Sequence, residues 1–574
     1  DENVGSCIVK WSYKTGNVVD TLLTSNQAFG DARETFGGYE FSSDERFVVL
    51  TTASEGLYRH SFYANFYVYD FESNEDARPI TDFAKGKQRL AQLSPAGDKV
   101  AFVRENNVFI SDLATGAEIQ VTTDGVTNAI INGATDWVYE EEFGDDQGLF
   151  WNGDGSRLAY LKFDESNVRE FHMPVYGSLY PDPYTFKYPK AGEDNSDVSV
   201  HIYNLAEDKS RAVAVPKYAY YIPRIKWTND PATLCVFSMN RHQNDLRLHL
   251  TEGEFPNDRI GTREVFKETC DTYIDINDNL TFLSDGSSFV MTSERDEYNH
   301  IYQFDFDGKS TQLTQGEWDV VDVLGYDAKR KRVYFTSSKE GATQKHTSFV
   351  DMRGRMTTLD TSHGTHSDDF SNSFEYSIHT HSTANTPPVF TLRDRNGKVI
   401  RTLKDNAALR ETMAEHGAVE KDFFTFTNDA GVELNCWKML PQDFDPAKKY
   451  PVYVAIYGGP GANTVTDSWG GSTFLWQQYL AQEGYIVVSC DPRGTQFRGR
   501  EFEHSTYREL GKLETEDFID LAEHLGTWDF VDADRMGIQG WSYGGFMTLL
   551  CLTKGADVYN AGISVAPVTN WRFY

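Results

Sequence analysis

The stretch "GWSYGG", Gly540–Gly545, sets a serine between glycines in the pattern G-x-S-x-G. A serine hydroxyl held at a sharp strand-to-helix turn can attack a carbonyl carbon once a base takes its proton. The run before it, "MGIQG", reads as a strand, and "GGFMTLLCLTKG" after it reads as a helix. That context makes Ser542 the candidate nucleophile. Tyr457, in "AIYGGPGAN", ends an apolar strand ahead of a glycine loop. Its hydroxyl and the backbone N–H of Tyr543 are candidate donors to an oxyanion. Three consecutive carboxylates, Glu140, Glu141 and Glu142, stand in "DWVYEEEFG". Such a run is either a solvated charge cluster or a seat for a cationic group such as a free α-amine. Arg59 in "YRHSF" is placed among aromatics, where it serves a substrate carbonyl or a structural salt bridge equally well.

Two kinds of sequence must position these residues. Up to about residue 400, short alternating strands are separated by turn signals. One unit recurs, an aromatic or apolar residue, a polar turn, then a strand: "FSSDERFVVL" at Phe41, "LSPAGDKVAFV" at Leu93 and "WNGDGSRLAYL" at Trp151. Weaker copies begin at Trp227, Phe282 and Tyr326. Their spacing suits a β-propeller of seven or eight blades over residues 1–404. A polar helical stretch, 405–424, reads as a connector. From 425 to 574, apolar strands ("YPVYVAIYGG", "GYIVVSCD") alternate with helices ("TFLWQQYLAQEG", "ETEDFIDLAEHL"). That alternation predicts a mostly parallel sheet in α/β-hydrolase order, incomplete at residue 574.

Composition narrows the partners. A net charge of −32 argues against nucleic acid or an anionic membrane surface. No apolar run is long enough to span a bilayer. The six cysteines are scattered without metal-ligand spacing. No metal and no cofactor are expected.

Together "GWSYGGF", "IYGGPG", "DPRGTQFRG", "DWVYEEEFG", "YRHS" and "VAPVTNWRFY" resemble, in their order, the prolyl oligopeptidase family of serine peptidases, and within it the dipeptidyl peptidase IV group. The resemblance implies that Ser542 is the nucleophile, with Tyr457 and the Tyr543 amide as oxyanion hole. It implies that Glu141 and Glu142 hold the substrate α-amine and Arg59 the carbonyl of the first residue. Val568, Trp571 and Tyr574, with Tyr543, then line a proline pocket. The implied activity is release of N-terminal X-Pro and X-Ala dipeptides by a homodimeric enzyme exported to the periplasm. An endopeptidase or acylaminoacyl peptidase of the same fold, or a non-catalytic propeller receptor, are the alternatives.

In this family the acid and base follow the serine, in the order Ser, Asp, His. Only 32 residues follow Ser542, and none is histidine. His504 is read as a loop residue without motif support, and His524 as a surface residue on the polar side of its helix. The expectation is therefore a catalytic Asp and His beyond Tyr574.

Overall fold

The computed structural model describes residues 5–13, 15–31, 33–73, 75–253 and 259–574. They form two compact units, one within Asp1–Ile276 and one built from Asn277–Asp305 and Lys309–Arg572. Phe306–Gly308 and Phe573 belong to the first unit and Tyr574 to the second.

The first unit is almost all antiparallel sheet. Its eight-stranded sheet consists of two meanders joined at a single pair, Ala64 opposite Gln88. A nine-stranded sheet is joined by a short parallel contact, Ala212–Val213 beside Arg259–Ile260. Short helices interrupt this pattern, among them α1, Trp137–Phe143.

The repeated turn of the sequence is a repeated hydrogen-bonded turn in space. Ser42, Ser94, Asn152 and Leu283 each donate a backbone N–H to the carbonyl five residues on. The fourth turn residue is left-handed each time: Glu45, Gly97, Gly155 and Gly286, with φ of 59°, 70°, 70° and 69°. Glycine takes that conformation without strain, which is why it recurs there. A further copy runs from Ser371 to Tyr376, with Phe374 left-handed at φ 53°. Like the copy with Glu45, it has no glycine at that position.

The second unit opens with three four-stranded antiparallel sheets. The last consists of β1 (Thr365–Phe370), β2 (Tyr376–Thr383), β3 (Thr386–Asp394) and β4 (Val399–Lys404). In the stretch read as a connector, the helix is confined to Ala407–Glu415. Strand β5 (Asp422–Thr427) begins before that stretch ends.

A six-stranded sheet follows, adding β6 (Glu433–Met439), β7 (Tyr450–Ile456), β8 (Ile486–Cys490), β9 (Val531–Trp541) and β10 (Ala561–Val565). Its order is β5-β6-β8-β7-β9-β10, antiparallel across β5, β6 and β8 and parallel from β8 to β10. β8 is buried along its whole length, as the uninterrupted apolar run predicts for a strand covered on both faces. Helices α2 (Gly471–Gln482), α3 (Leu513–Gly526) and α4 (Tyr543–Lys554) cover the sheet. Phe518, Leu521, Ala522 and Leu525 of α3 are all buried, so the i, i+3, i+4, i+7 stripe is the packed face. Among the described residues no helix is long and apolar enough to cross a membrane.

Candidate active site

Ser542 stands between β9 and α4 with φ 57° and ψ −115°, a strained conformation for a residue with a Cβ. The neighbouring glycines make that turn possible. A Cβ on Gly540 would lie 2.2 Å from the Gly544 carbonyl oxygen, and one on Gly544 would lie 2.6 Å from that of Ile456. Both obstacles are backbone, so no side chain fits. The turn lifts Ser542 to a half-buried position at the carboxyl end of the parallel strands, where ligands of open α/β sheets bind. Among the described residues nothing forms a hydrogen bond with Ser542 Oγ.

Tyr543 is the first residue of α4, so its backbone N–H lies among the donors that an α-helix leaves without an internal partner. Its side chain points inward. The hydroxyl donates to Oε1 of the fully buried Glu514, and Glu514 also accepts the Gly511 N–H at 3.0 Å. Burial, offset in part by these bonds, raises the Glu514 carboxyl above its usual range. Tyr457 follows the last residue of β7, with its ring centroid 6.1 Å from that of Tyr543. Gly459 permits this, because a Cβ there would lie 2.6 Å from the Tyr457 ring.

Trp571 completes the aromatic cluster, 5.6 Å from Tyr543 and 5.5 Å from Tyr574. Asn570 caps its short turn by accepting the Arg572 N–H at 3.0 Å. Val568 is half-buried on the segment between β10 and that turn. The segment "DPRGTQFRG" is scaffolding for this region. Asp491 accepts the N–H groups of Thr464 and Val465 at 2.7 and 3.1 Å, and burial pushes its carboxyl up to about 6. Arg493 pairs with the fully buried Asp517 of α3 at 2.7 Å.

The two histidines of this region are engaged elsewhere. His504 is buried in the turn His504–Thr506, and burial with the nearby Arg500 brings it down to about 4. His524 is not on an open surface: it stacks on Phe426 at 5.4 Å and lies against Trp528.

In the first unit, the three glutamates separate into different environments on α1. Asp136 caps the helix by accepting the Tyr139 N–H at 3.0 Å and is itself held by Ser196 at 2.6 Å. Tyr139, Glu140 and Phe143 face inward. Glu140 Oε1 accepts the N–H groups of His60 and Ser61, at 2.6 and 2.8 Å. It thereby fixes the loop that carries Arg59. Arg59 in turn donates from Nε and Nη2 to both oxygens of Glu141, at 2.7 and 2.5 Å. Glu142 is exposed. Partial burial raises the Tyr188 phenol, and the Glu142 and Glu141 carboxylates add to this, so both acids stand near that ring. Tyr188 packs on Trp137 at 4.3 Å. The roles of Glu140 and Glu514 are invisible in the sequence, since each depends on a partner that only the fold brings near.

Residues 42–388 match the dipeptidyl peptidase IV N-terminal region, and residues 472–574 the prolyl oligopeptidase family. A dipeptidyl peptidase 4 of Trichophyton equinum is 32% identical over 564 residues, covering 93% of this chain and 71% of that protein. A probable dipeptidyl peptidase 4 of Aspergillus flavus is 32% identical over 97% of this chain and 73% of its own length. The crystal structure of Porphyromonas gingivalis dipeptidyl peptidase 4 superposes with a TM-score of 0.94 at 40% identity, over 100% of this chain and 80% of that one. The fold is accordingly a propeller followed by an α/β-hydrolase sheet. The chain belongs to the prolyl oligopeptidase family of serine peptidases, in its dipeptidyl peptidase IV group.

Proposed function

We propose that this serine dipeptidyl peptidase releases X-Pro and, less readily, X-Ala dipeptides from peptides with a free α-amine, through an acyl-enzyme on Ser542. The observation that carries the reading is the pairing on α1: Glu141 held in a fork by Arg59, with Glu142 beside it. Two carboxylates suit an ammonium group, and an internal peptide bond offers none. Arg59 then has two tasks, orienting Glu141 and donating to the carbonyl of the first substrate residue. Val568, Trp571, Tyr574 and Tyr543 line the pocket for proline, whose ring favours an aromatic surround.

In the reaction, Ser542 Oγ bonds to the carbonyl carbon of the second residue while its proton passes to a base. The Tyr457 hydroxyl and the Tyr543 N–H hold the oxyanion. The C–N bond then breaks, the base returns the proton to the leaving amine, and water later cleaves the ester. His504 and His524 are unsuited to be that base: burial brings the first down to about 4 and so makes it a weak base, and the second is stacked on Phe426 with Trp528 set edge-on to it. In the α/β-hydrolase order the acid and the base follow the nucleophile, as Ser, Asp, His. The same reading takes 1–404 as a propeller of seven or eight blades, 405–424 as connector and 425–574 as the hydrolase part. It extends to a homodimer exported to the periplasm, as the family resemblance implies.

The test is covalent labelling of the intact protein with a fluorophosphonate, followed by peptide mapping, alongside turnover of a Gly-Pro chromogenic substrate. Label on Ser542, and loss of both label and turnover in Ser542→Ala, support the reading. Full turnover by Ser542→Ala refutes it.

A further inference from the structure

One face of the sheet β1–β4 carries a buried polar cluster that the peptidase chemistry does not use. Register sets His366 opposite His381 and Asp368 opposite His379 across β1 and β2, and Ser377 opposite Arg393 across β2 and β3. These side chains therefore share one face. Asp360, from the segment before β1, reaches the same cluster. Asp360, His366, Asp368 and His379 are each exposed by 5% or less.

Hydrogen bonding fixes the two imidazoles. His379 Nδ1 lies 3.0 Å from Asp368 Oδ2, and His366 Nε2 lies 2.9 Å from the Ser362 carbonyl oxygen. A carboxylate and a carbonyl only accept, so these two ring nitrogens carry the hydrogens. The opposite nitrogens, His366 Nδ1 and His379 Nε2, are then bare lone pairs, yet they stand 3.2 Å apart. Asp360 Oδ1 faces both, at 3.4 Å from His366 Nδ1 and 3.8 Å from His379 Nε2. Arg393 also pairs with that oxygen, while Asp360 Oδ2 is buried with no hydrogen-bond partner.

Three acceptors thus converge with no hydrogen among them. Two buried carboxylates face one guanidinium, so the cluster carries a net negative charge that favours a bound cation. A proton can bridge only one pair of the three acceptors, whereas a metal ion serves all three. Around a tetrahedral zinc at about 2.0–2.2 Å, neighbouring donor atoms are roughly 3.3–3.6 Å apart. The separations of 3.2, 3.4 and 3.8 Å bracket that range.

We propose that Asp360, His366 and His379 bind a divalent transition metal ion of the zinc class, with Asp368 and the Ser362 carbonyl orienting the imidazoles from behind. Two imidazoles and a carboxylate select such an ion over calcium or magnesium, which prefer oxygen ligands throughout. Hydrogen bonds from behind to metal-bound histidines are the usual means of fixing their tautomers. The ion staples the segment before β1 to the sheet. The same sheet seats the loop that leads into α2. There Thr365 Oγ1 donates to the Asp467 carbonyl at 3.0 Å, the Ala384 N–H donates to Asp467 Oδ1 at 2.8 Å, and the Trp469 N–H donates to Ser382 Oγ at 3.2 Å. The metal therefore steadies the support of the hydrolase sheet and takes no part in the chemistry at Ser542.

The test is metal analysis of protein purified without chelator or metal-affinity steps, then titration of chelator-treated protein with Zn²⁺ and Co²⁺. The expected result is one ion per chain, a higher Tm with Zn²⁺, and a visible absorption band of tetrahedral Co²⁺. His366→Ala and His379→Ala should abolish uptake, while His381→Ala, which removes a neighbouring ring but no ligand, should retain it. Should the ligand variants fail to fold, titration of the unaltered protein decides alone. No bound metal and no one-to-one uptake by the unaltered protein overturns the proposal, the cation then being a proton. Undiminished uptake by a folded His366→Ala variant overturns it equally.

Discussion

The Tyr543 hydroxyl is bonded to Glu514, a carboxylate with no exposed surface, so the residue after the candidate nucleophile is anchored from the interior. The anchor holds the ring against Trp571, while the backbone N–H of the same residue is the one proposed above for the oxyanion. Side chain and backbone of one tyrosine thus have separate tasks, and substitution separates them. Tyr543→Phe keeps the N–H and the ring but leaves Glu514 short of a partner. It should cost roughly 1–3 kcal/mol of stability, while kcat/KM changes only a few-fold. A large loss of kcat at unchanged Tm would move the hydroxyl into the chemistry instead.

The elbow glycines give a steric prediction. Ala at Gly544 puts a Cβ against the Ile456 carbonyl, 2.6 Å away, and neither backbone segment can yield without moving Ser542 or Tyr457. Gly544→Ala should lose about 1–3 kcal/mol or more and most of its fluorophosphonate reactivity. Differential scanning calorimetry and labelling rates measure the two effects. Normal labelling would show that the elbow tolerates the shift.

The glutamate run predicts different effects at its first and last positions. Glu140 holds two backbone N–H groups inside the protein, and Glu142 is exposed. Glu140→Ala should lower Tm, because bonds to an ionised group are worth about 1.5–3 kcal/mol each. Glu142→Gln should leave Tm within the range of ordinary surface changes and reduce turnover of free-amine substrates. Thermal melts and steady-state kinetics on both variants distinguish them, and equal loss of stability in both would make the run a structural network.

How far the sequence reveals these roles depends on distance along the chain. The serine elbow is local, since strand, turn and helix follow one another within "MGIQGWSYGGFMTLL", and it is readable at once. The division of Glu140 from Glu141 and Glu142 depends on His60, Ser61 and Arg59, some eighty residues earlier, so the run alone reads as plain charge. His524 looks exposed by helical periodicity because that pattern omits Phe426, which packs over it from β5. The turn at Ser371 carries Phe374 where three of the other four copies have glycine. The histidine cluster is legible only once β1 and β2 are paired in register.

Acid–base linkage gives a further prediction. Burial, with the Asp136 carboxylate nearby, pushes Glu165 up to about 7 from an ordinary 4.5. The folded state therefore binds a proton that the unfolded state has released between those values. The stabilisation is complete below the unfolded value and is lost as pH rises through about 7. Glu165→Gln stays neutral throughout and should be more stable than the parent at pH 8, by up to about 3 kcal/mol, with a smaller difference at pH 5. Chemical denaturation at the two pH values measures this. An equal difference at both would remove Glu165 as the cause.

The proposed recognition of a free α-amine by Glu141 and Glu142 is tested directly by a pair of substrates. One compares kcat/KM of the intact protein for a Gly-Pro chromogenic dipeptide and for its N-acetyl form. A bound substrate would enclose its ammonium group with these carboxylates, and removing one partner of a buried pair costs roughly 3–5 kcal/mol, so acetylation should lower kcat/KM by at least about a hundredfold. Equal cleavage of the two substrates would contradict the exopeptidase reading and leave the glutamate run without its proposed role.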